Sequence, residues 1–199
     1  MITRKEMTRM LLKEGLLSCL ANNSFESVTV TSLCKASGIT RSTFYLHYSN
    51  IMEIVDDLVD DAIAYSKPGM VDNNNLQTIA NTLSAASNSV SLREAYDSIF
   101  DRLPLCQRII RHKKYLPLFL DEQISEYVLQ RIIGSEKDRQ GLVMAEALGT
   151  SFDVGVSIFV FLVHGLYAVN KQYKWSQSDE WLEAQKVIFE LVCRGLQRK

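Results

Sequence analysis

The sequence predicts an all-α fold of about nine helices in two parts, an N-terminal three-helix helix-turn-helix domain and a larger C-terminal helical domain. Three observations carry this reading. Apolar residues recur every three to four positions in nearly every long segment, which is the spacing of one helix face. Capping patterns precede several of those stripes, at Thr3 with Glu6, Ser91 with Glu94 and Ser176 with Asp179. Two short helical stretches between Thr29 and Tyr48 are joined by Ser37-Gly38, where a helix ending in a left-handed residue calls for glycine.

With 199 residues, 47% hydrophobic and 23% charged, the chain has the makeup of a soluble globular protein of one or two small domains. Its net charge of -1 does not mark a nucleic-acid partner, but the distribution is uneven. Within residues 1–50, Arg4, Lys5, Arg9, Lys13, Lys35 and Arg41 outweigh Glu6, Glu14 and Glu26. Residues 51–65 then carry five acids and no base. The positive charge is mild, so any DNA binding by the head depends largely on backbone hydrogen bonds and shape.

Cys19, Cys34, Cys106 and Cys193 are widely spaced and make no zinc pattern, so neither a metal site nor a disulfide framework is expected. The start MITRKEMTRM has no apolar signal core behind it, which points to a cytoplasmic protein. No nucleophile elbow, phosphate-cradling glycine loop or H-E-x-x-H occurs, so the expectation is no catalysis and no cofactor.

In chain order, Thr3 opens a first helix in which Met7, Met10, Leu11, Leu17 and Leu20 form the packing stripe, ended by Asn22-Asn23-Ser24. Thr29 caps the next helix, and Leu33, Ile39 and Phe44 are the apolar positions of the pair that follows. Cys34 sits where the two helices cross and a small side chain is needed. Thr40 caps the second of them, with Arg41, Ser42 and Thr43 in its first turn, where a recognition helix presents side chains to base edges. A fourth helix from Ile51 to about Tyr65 sets Ile54, Val55, Leu58 and Ala62 against an acidic face of Glu53, Asp56, Asp57, Asp60 and Asp61, expected to be solvated.

Lys67-Pro68-Gly69 marks a boundary, giving a head over 1–50, a connecting helix over 51–69 and a second domain over 70–199. There, Ile79, Ala80 and Leu83 start a stripe that resumes after Ser87-Asn88-Ser89 through Leu92, Tyr96, Ile99 and Leu103. Residues 105–114 gather Arg108, Arg111, His112, Lys113 and Lys114, read as a solvated basic stretch or as a contact for an anion or for the acidic helix. Pro117 opens a helix expected to end at Gly134, with Glu136 to Gln140 as a polar connection. Val154 to Val169 is the most apolar run and is expected to be buried; 16 residues are short for the ~20 of a bilayer span, so no membrane partner is expected. Ser176 is read as opening the last helix, through Trp181, Leu182, Val187, Ile188, Leu191 and Val192.

The run TVTSLCKASGITRSTFYLHY, with the Thr-Phe-Tyr-x-His-Tyr signature at Thr43, Phe44, Tyr45, His47 and Tyr48, resembles the DNA-binding domain of the TetR family of bacterial transcriptional regulators over about residues 7 to 63. The resemblance implies that Thr29, Tyr45 and His47 hold the DNA backbone, and that Arg41, Ser42, Thr43 and Leu46 face the major groove. Ile51 stands where the family pattern usually has a phosphate-binding lysine. It further implies a homodimer through the last two helices, a two-fold double-stranded DNA operator and release by an unknown small-molecule effector. Tyr96, Phe100, Phe119, Phe152, His164 and Tyr167 are the candidate effector-lining residues. An activator, a regulator controlled by a protein partner, and an enzyme or carrier with a vestigial head are the alternative readings.

Overall fold

The structure is a computed structural model that describes residues 2–67, 76–103 and 105–196. The turn expected at 68–75 and Pro104 lie outside the described residues. Among those described, the chain forms eleven α-helices, two short 3-10 turns and no strand. They fall into two compact units, Met1–Ser66 with Ile109–Ile132, and Lys67–Arg108 with Ile133–Lys199.

In the first unit, α1 (Arg4–Leu20) starts at the expected capping box: Glu6 N donates to the Thr3 hydroxyl at 3.2 Å and Thr3 N to Glu6 Oε2 at 2.7 Å. Its packed face is not the expected stripe. Thr8, Leu12, Leu16 and Leu20 lie one turn apart and are buried with Leu17, whereas Met7, Met10 and Leu11 are about two-fifths exposed. The i, i+4 row decides the face, and those three residues stand off it. Next come α2 (Val30–Ser37), α3 (Arg41–Tyr45) and α4 (Met52–Ser66), whose Ile54, Val55, Leu58 and Ala62 are buried as expected, with Val59 buried beside them.

The short α8 (Leu116–Leu120) begins with Pro117 in its first turn and stops at Asp121. The helix expected from Pro117 to Gly134 is therefore two helices. The Asp121 carboxylate accepts from Gln123 N at 2.9 Å, Ile124 N at 3.2 Å and Phe25 N at 2.6 Å. Local bonds of this kind compete with the helical ladder and start a new helix. That helix, α9 (Ser125–Leu148), runs unbroken through Gly134 and the segment 136–140 expected to be a connection. Glu, Lys and Arg are good helix formers, and Arg139 Nε reaches back to Glu136 at 3.1 Å.

In the second unit, α5 (Leu76–Ser84), α6 (Ser89–Ser98) and α11 (Asp179–Leu196) bury Ile79, Leu83, Leu92, Tyr96, Trp181, Leu182 and Phe189 in one cluster. Two caps differ from expectation. Asn88, not Ser91, caps α6 by accepting from Ser91 N at 2.9 Å, and Ser178, not Ser176, receives Trp181 N at 3.3 Å before α11. Helix α7 (Leu105–Arg111) follows α6 after the 3-10 turn Phe100–Arg102.

Helix α10 (Phe152–Gln172) crosses α9 closely: a Cβ added at Gly155 would lie 2.8 Å from the Ala145 backbone nitrogen, a position only glycine fills. The run 154–169 is not buried all round. Gly155, Phe159, Val163, Leu166, Tyr167 and Asn170 are packed, but Phe161 is 75% exposed and Val154 nearly half. At 21 residues α10 is long and apolar enough by length and composition to cross a membrane, with 28% of its most apolar window buried.

Candidate nucleic-acid interface

Helix α2 opens at a reciprocal cap in which the Thr29 hydroxyl accepts from Ser32 N at 3.1 Å and Ser32 Oγ accepts from Thr29 N at 2.9 Å. It closes at Gly38, whose φ of +67° is the left-handed conformation the turn requires, while Ile39 N returns to Cys34 O at 3.0 Å. Cys34 is buried as expected. The chain then reverses onto α3, where the Thr40 hydroxyl accepts from Thr43 N at 3.2 Å and lies 3.0 Å from Ser42 Oγ and 2.9 Å from Thr43 Oγ1.

Two rings set the rotation of α3. Phe44 is fully buried and Tyr48 nearly so. With that face fixed, the helical period turns Arg41, Ser42, Tyr45 and Leu46 outward; Tyr45 is 53% and Leu46 81% exposed. Thr43 and His47 are half-buried. The Nδ1 of His47 is buried with no bonding partner, so only Nε2 remains for an outside group. Helix α3 itself spans five residues; Leu46, His47 and Tyr48 continue as a turn bonded back to Thr43 and Phe44.

Tyr48 also belongs to a polar clamp that sequence reading did not foresee. Its hydroxyl donates to Asp57 Oδ2 at 2.6 Å and accepts from Arg9 Nε at 3.2 Å, and Arg9 Nε donates to Asp57 at 3.0 Å, so α1, the turn after α3 and α4 meet at one carboxylate. Burial works against the Asp57 anion, but the hydrogen bonds from Arg9 and Tyr48 outweigh it and hold its pKa below the usual carboxylate range. Burial, then the bond to Asp57, pushes the Tyr48 phenol up, and the bond to Asp57 raises Arg9.

The acidic face of α4 is therefore not merely solvated as expected: Asp60 stays exposed, but the face is paired. Lys13 pairs with Asp61, Arg131 pairs with Asp56 and lies 2.7 Å from Asp60, and the Tyr127 hydroxyl donates to Asp56. Glu53 accepts from Ser49 N at 2.8 Å while Asn50 accepts from Glu53 N at 3.1 Å, so the start of α4 is already capped beside the half-buried Ile51. The basic stretch is also more engaged than a solvated helix. Lys114 lies 2.6 Å from Glu14, and the His112 ring meets Tyr65 of α4 edge-on at 4.1 Å. Arg4, Lys5 and Lys35 stay exposed, leaving them with Arg41 as the outward cations of the head.

The six candidate effector residues are divided between the two units. Phe119 is core of the first unit. In the second, Tyr96 and Phe100 belong to the cluster around Trp181, Tyr167 packs against Trp175 at 5.4 Å, His164 is half-buried and Phe152 is exposed at the start of α10. The second unit also buries polar residues that were missed, Gln107, Asn170 and Gln185, together with Arg108 of the basic stretch. The available signal was Gln185 itself, a polar residue one turn from both Trp181 and Phe189 on an otherwise apolar row. Among the described residues no group of three His, Cys, Asp or Glu is placed to hold a metal. No family model matches the chain, and no curated protein matches it as a relative.

Proposed function

We propose that this chain is a sequence-specific DNA-binding transcriptional regulator of the TetR type, a cytoplasmic homodimer that represses from a two-fold operator and is released by a small-molecule effector. The observation that carries the reading is the orientation of α3. Buried Phe44 and Tyr48 fix one face, and the exposed opposite face presents Arg41, Ser42, Tyr45 and Leu46, the side chains a reading helix uses. Arg41 supplies the fork that recognises guanine in the major groove; Thr29, Tyr45 and His47 supply donors to phosphate. Dimerisation through the last two helices is supported by what α10 and α11 leave uncovered. Phe161 and Leu191 are each more than 70% exposed, with Val154 and Val187 alongside about half exposed, a distribution suited to a four-helix interface. Packing that face against a second copy, and not against lipid, is the part of this reading that keeps α10 out of the membrane.

The test is fluorescence anisotropy of the purified protein on DNA from immediately upstream of its own coding sequence, with scrambled DNA as competitor. Tyr45→Ala is expected to weaken every sequence alike, about tenfold for one lost phosphate contact. Arg41→Ala should cost about 1–3 kcal/mol and also relax base preference at one position per half-site. Equal loss on all sequences for both variants would overturn the assignment of roles; undiminished binding in both would overturn the reading.

A further inference from the structure

Helix α3 has five residues, too few for a helix to hold its own place, so the rest of the head must fix it. Phe44 is fully buried, but burial of an apolar ring is non-directional and leaves the helix free to roll. The hydroxyls of Thr40, Ser42 and Thr43 bond among themselves. Directional contact with the neighbouring helices comes three residues past the end of α3. There the Tyr48 hydroxyl donates to Asp57 Oδ2 of α4 at 2.6 Å and accepts from Arg9 Nε of α1 at 3.2 Å. The Arg9 guanidinium also lies over the Tyr48 ring, 5.1 Å from its centre, so ring and hydroxyl are both held.

The held ring is continuous with the outward face. Tyr48 lies 6.3 Å from Phe44, ring centre to ring centre, and Phe44 meets the exposed Tyr45 edge-on at 5.1 Å. Between Tyr45 and Tyr48 the backbone is a single turn, with His47 N and Tyr48 N donating to Phe44 O at 2.9 and 3.0 Å. Leu46 and His47 sit on that turn. A displacement of Tyr48 therefore carries Tyr45, Leu46 and His47 with it.

We propose that Arg9 and Asp57 are positioning residues, which through the Tyr48 hydroxyl set the angle at which α3 and its turn present Tyr45, Leu46 and His47. Side chains on the outward face are thus aimed by two that lie behind it. This rests on the regulator reading only in making DNA what the face meets; the positioning itself is a property of the free protein. Two substitutions separate it from a general contribution to stability. Asp57→Asn removes the charge but keeps an oxygen for the Tyr48 hydroxyl, so it should lower stability and keep the presentation. Tyr48→Phe keeps the ring and the pair of Arg9 and Asp57 but loses the hydroxyl, so it should lose the presentation.

The experiment uses the full chain and these two variants, with two readouts. In the free protein, amide hydrogen exchange at His47 and Tyr48 should quicken in Tyr48→Phe by about fivefold more than at Leu16 in the core of α1, the worth of one hydrogen bond acting locally. Asp57→Asn should show no such local excess. The second readout is fluorescence anisotropy on DNA from immediately upstream of the coding sequence and on scrambled DNA. Tyr48→Phe should lower the ratio of the two affinities about fivefold, while scrambled DNA, held through phosphate, is bound within about twofold of the parent. Asp57→Asn should melt lower than the parent yet keep the ratio within about twofold. An unchanged ratio in Tyr48→Phe on DNA that the parent does discriminate, ratio losses in both variants that follow their melting temperatures, or exchange without a local excess would each overturn the proposal. A parent that prefers neither DNA counts against the regulator reading alone, and the exchange readout then decides the clamp.

Discussion

The two units solve the problem of polar and apolar placement in opposite ways. In the first, the aspartates of α4 each find a named partner: Arg9 and Tyr48 at Asp57, Lys13 at Asp61, Arg131 at Asp56 and Asp60, while Ile54, Val55, Leu58, Val59, Ala62 and Ile63 are buried. In the second, Gln107, Arg108, Asn170 and Gln185 are inside, and Phe161, Val187 and Leu191 are outside. The first answers the acids of α4 from within its own chain. The second leaves apolar side chains of α10 and α11 open to a second copy, which is why we assign it the self-association.

The largest effect should come from charging the uncovered face. Phe161→Glu combined with Leu191→Glu places carboxylates at its two most exposed apolar residues, and a desolvated unpaired charge at an interface costs several kcal/mol. Sedimentation should show the dimer dissociating at least a hundredfold more readily, with operator affinity falling as the two heads uncouple. Monomer stability should change little, because both side chains are mostly exposed. An unaltered dimer would move the interface off α10 and α11.

A smaller effect separates close packing from open surface within α10. Gly155→Ala must displace backbone of α9, at Ala145 and Gly141, and overpacking of this kind costs about 1–3 kcal/mol in a thermal melt. In the first unit, Asp57→Asn removes the anion from a pair whose side chains are 25% and 37% exposed, so the loss is about 1–2 kcal/mol. The pH dependence has a definite sign. The Asp57 pKa is lowered on folding, so its contribution is present above the ordinary carboxylate range and lost as pH falls through the depressed value. Asp57→Asn should therefore be less stable than the parent near neutrality and converge with it in acid. Parallel curves would mean that the clamp contributes nothing specific.

The same contrast explains what was legible in the sequence. The helix-turn-helix was, because its logic is local: Thr29, Gly38, Thr40 and Phe44 act within one or two turns of themselves, and each is found in its expected capping, turn or core position. The acidic face of α4 was misread because its partners are remote; Arg9 and Asp57 are 48 residues apart and Arg131 and Asp56 are 75 apart. Capping patterns also competed. Ser91 with Glu94 fits the rule, yet Asn88 takes the cap and uses Ser91 as its partner, moving the helix start upstream. At Asp121 a buried carboxylate that bonds Phe25 overrides the helical period, a contact across 96 residues that no window reveals. The polar core of the second unit announced itself only as one glutamine in an apolar row, since Gln107 and Asn170 become meaningful only once four helices meet.

The smallest predicted effect tests the edge of the head, where Ile51 stands in place of a cation. Ile51 is half-buried at the start of α4, and Glu53 there already caps Ser49 N, so the parent offers phosphate a neutral side chain beside a carboxylate. Ile51→Lys adds an ammonium that Glu53 and a phosphate both attract. If the position faces the DNA backbone, the slope of log affinity against log salt should steepen by about 0.9 per subunit, with little gain at high salt, where the released counterions no longer favour binding. An unchanged slope with a stabilised free protein would mean that Glu53 captures the lysine. The double variant Ile51→Lys with Glu53→Gln then frees the ammonium, and the slope should steepen only in that background if phosphate lies within reach.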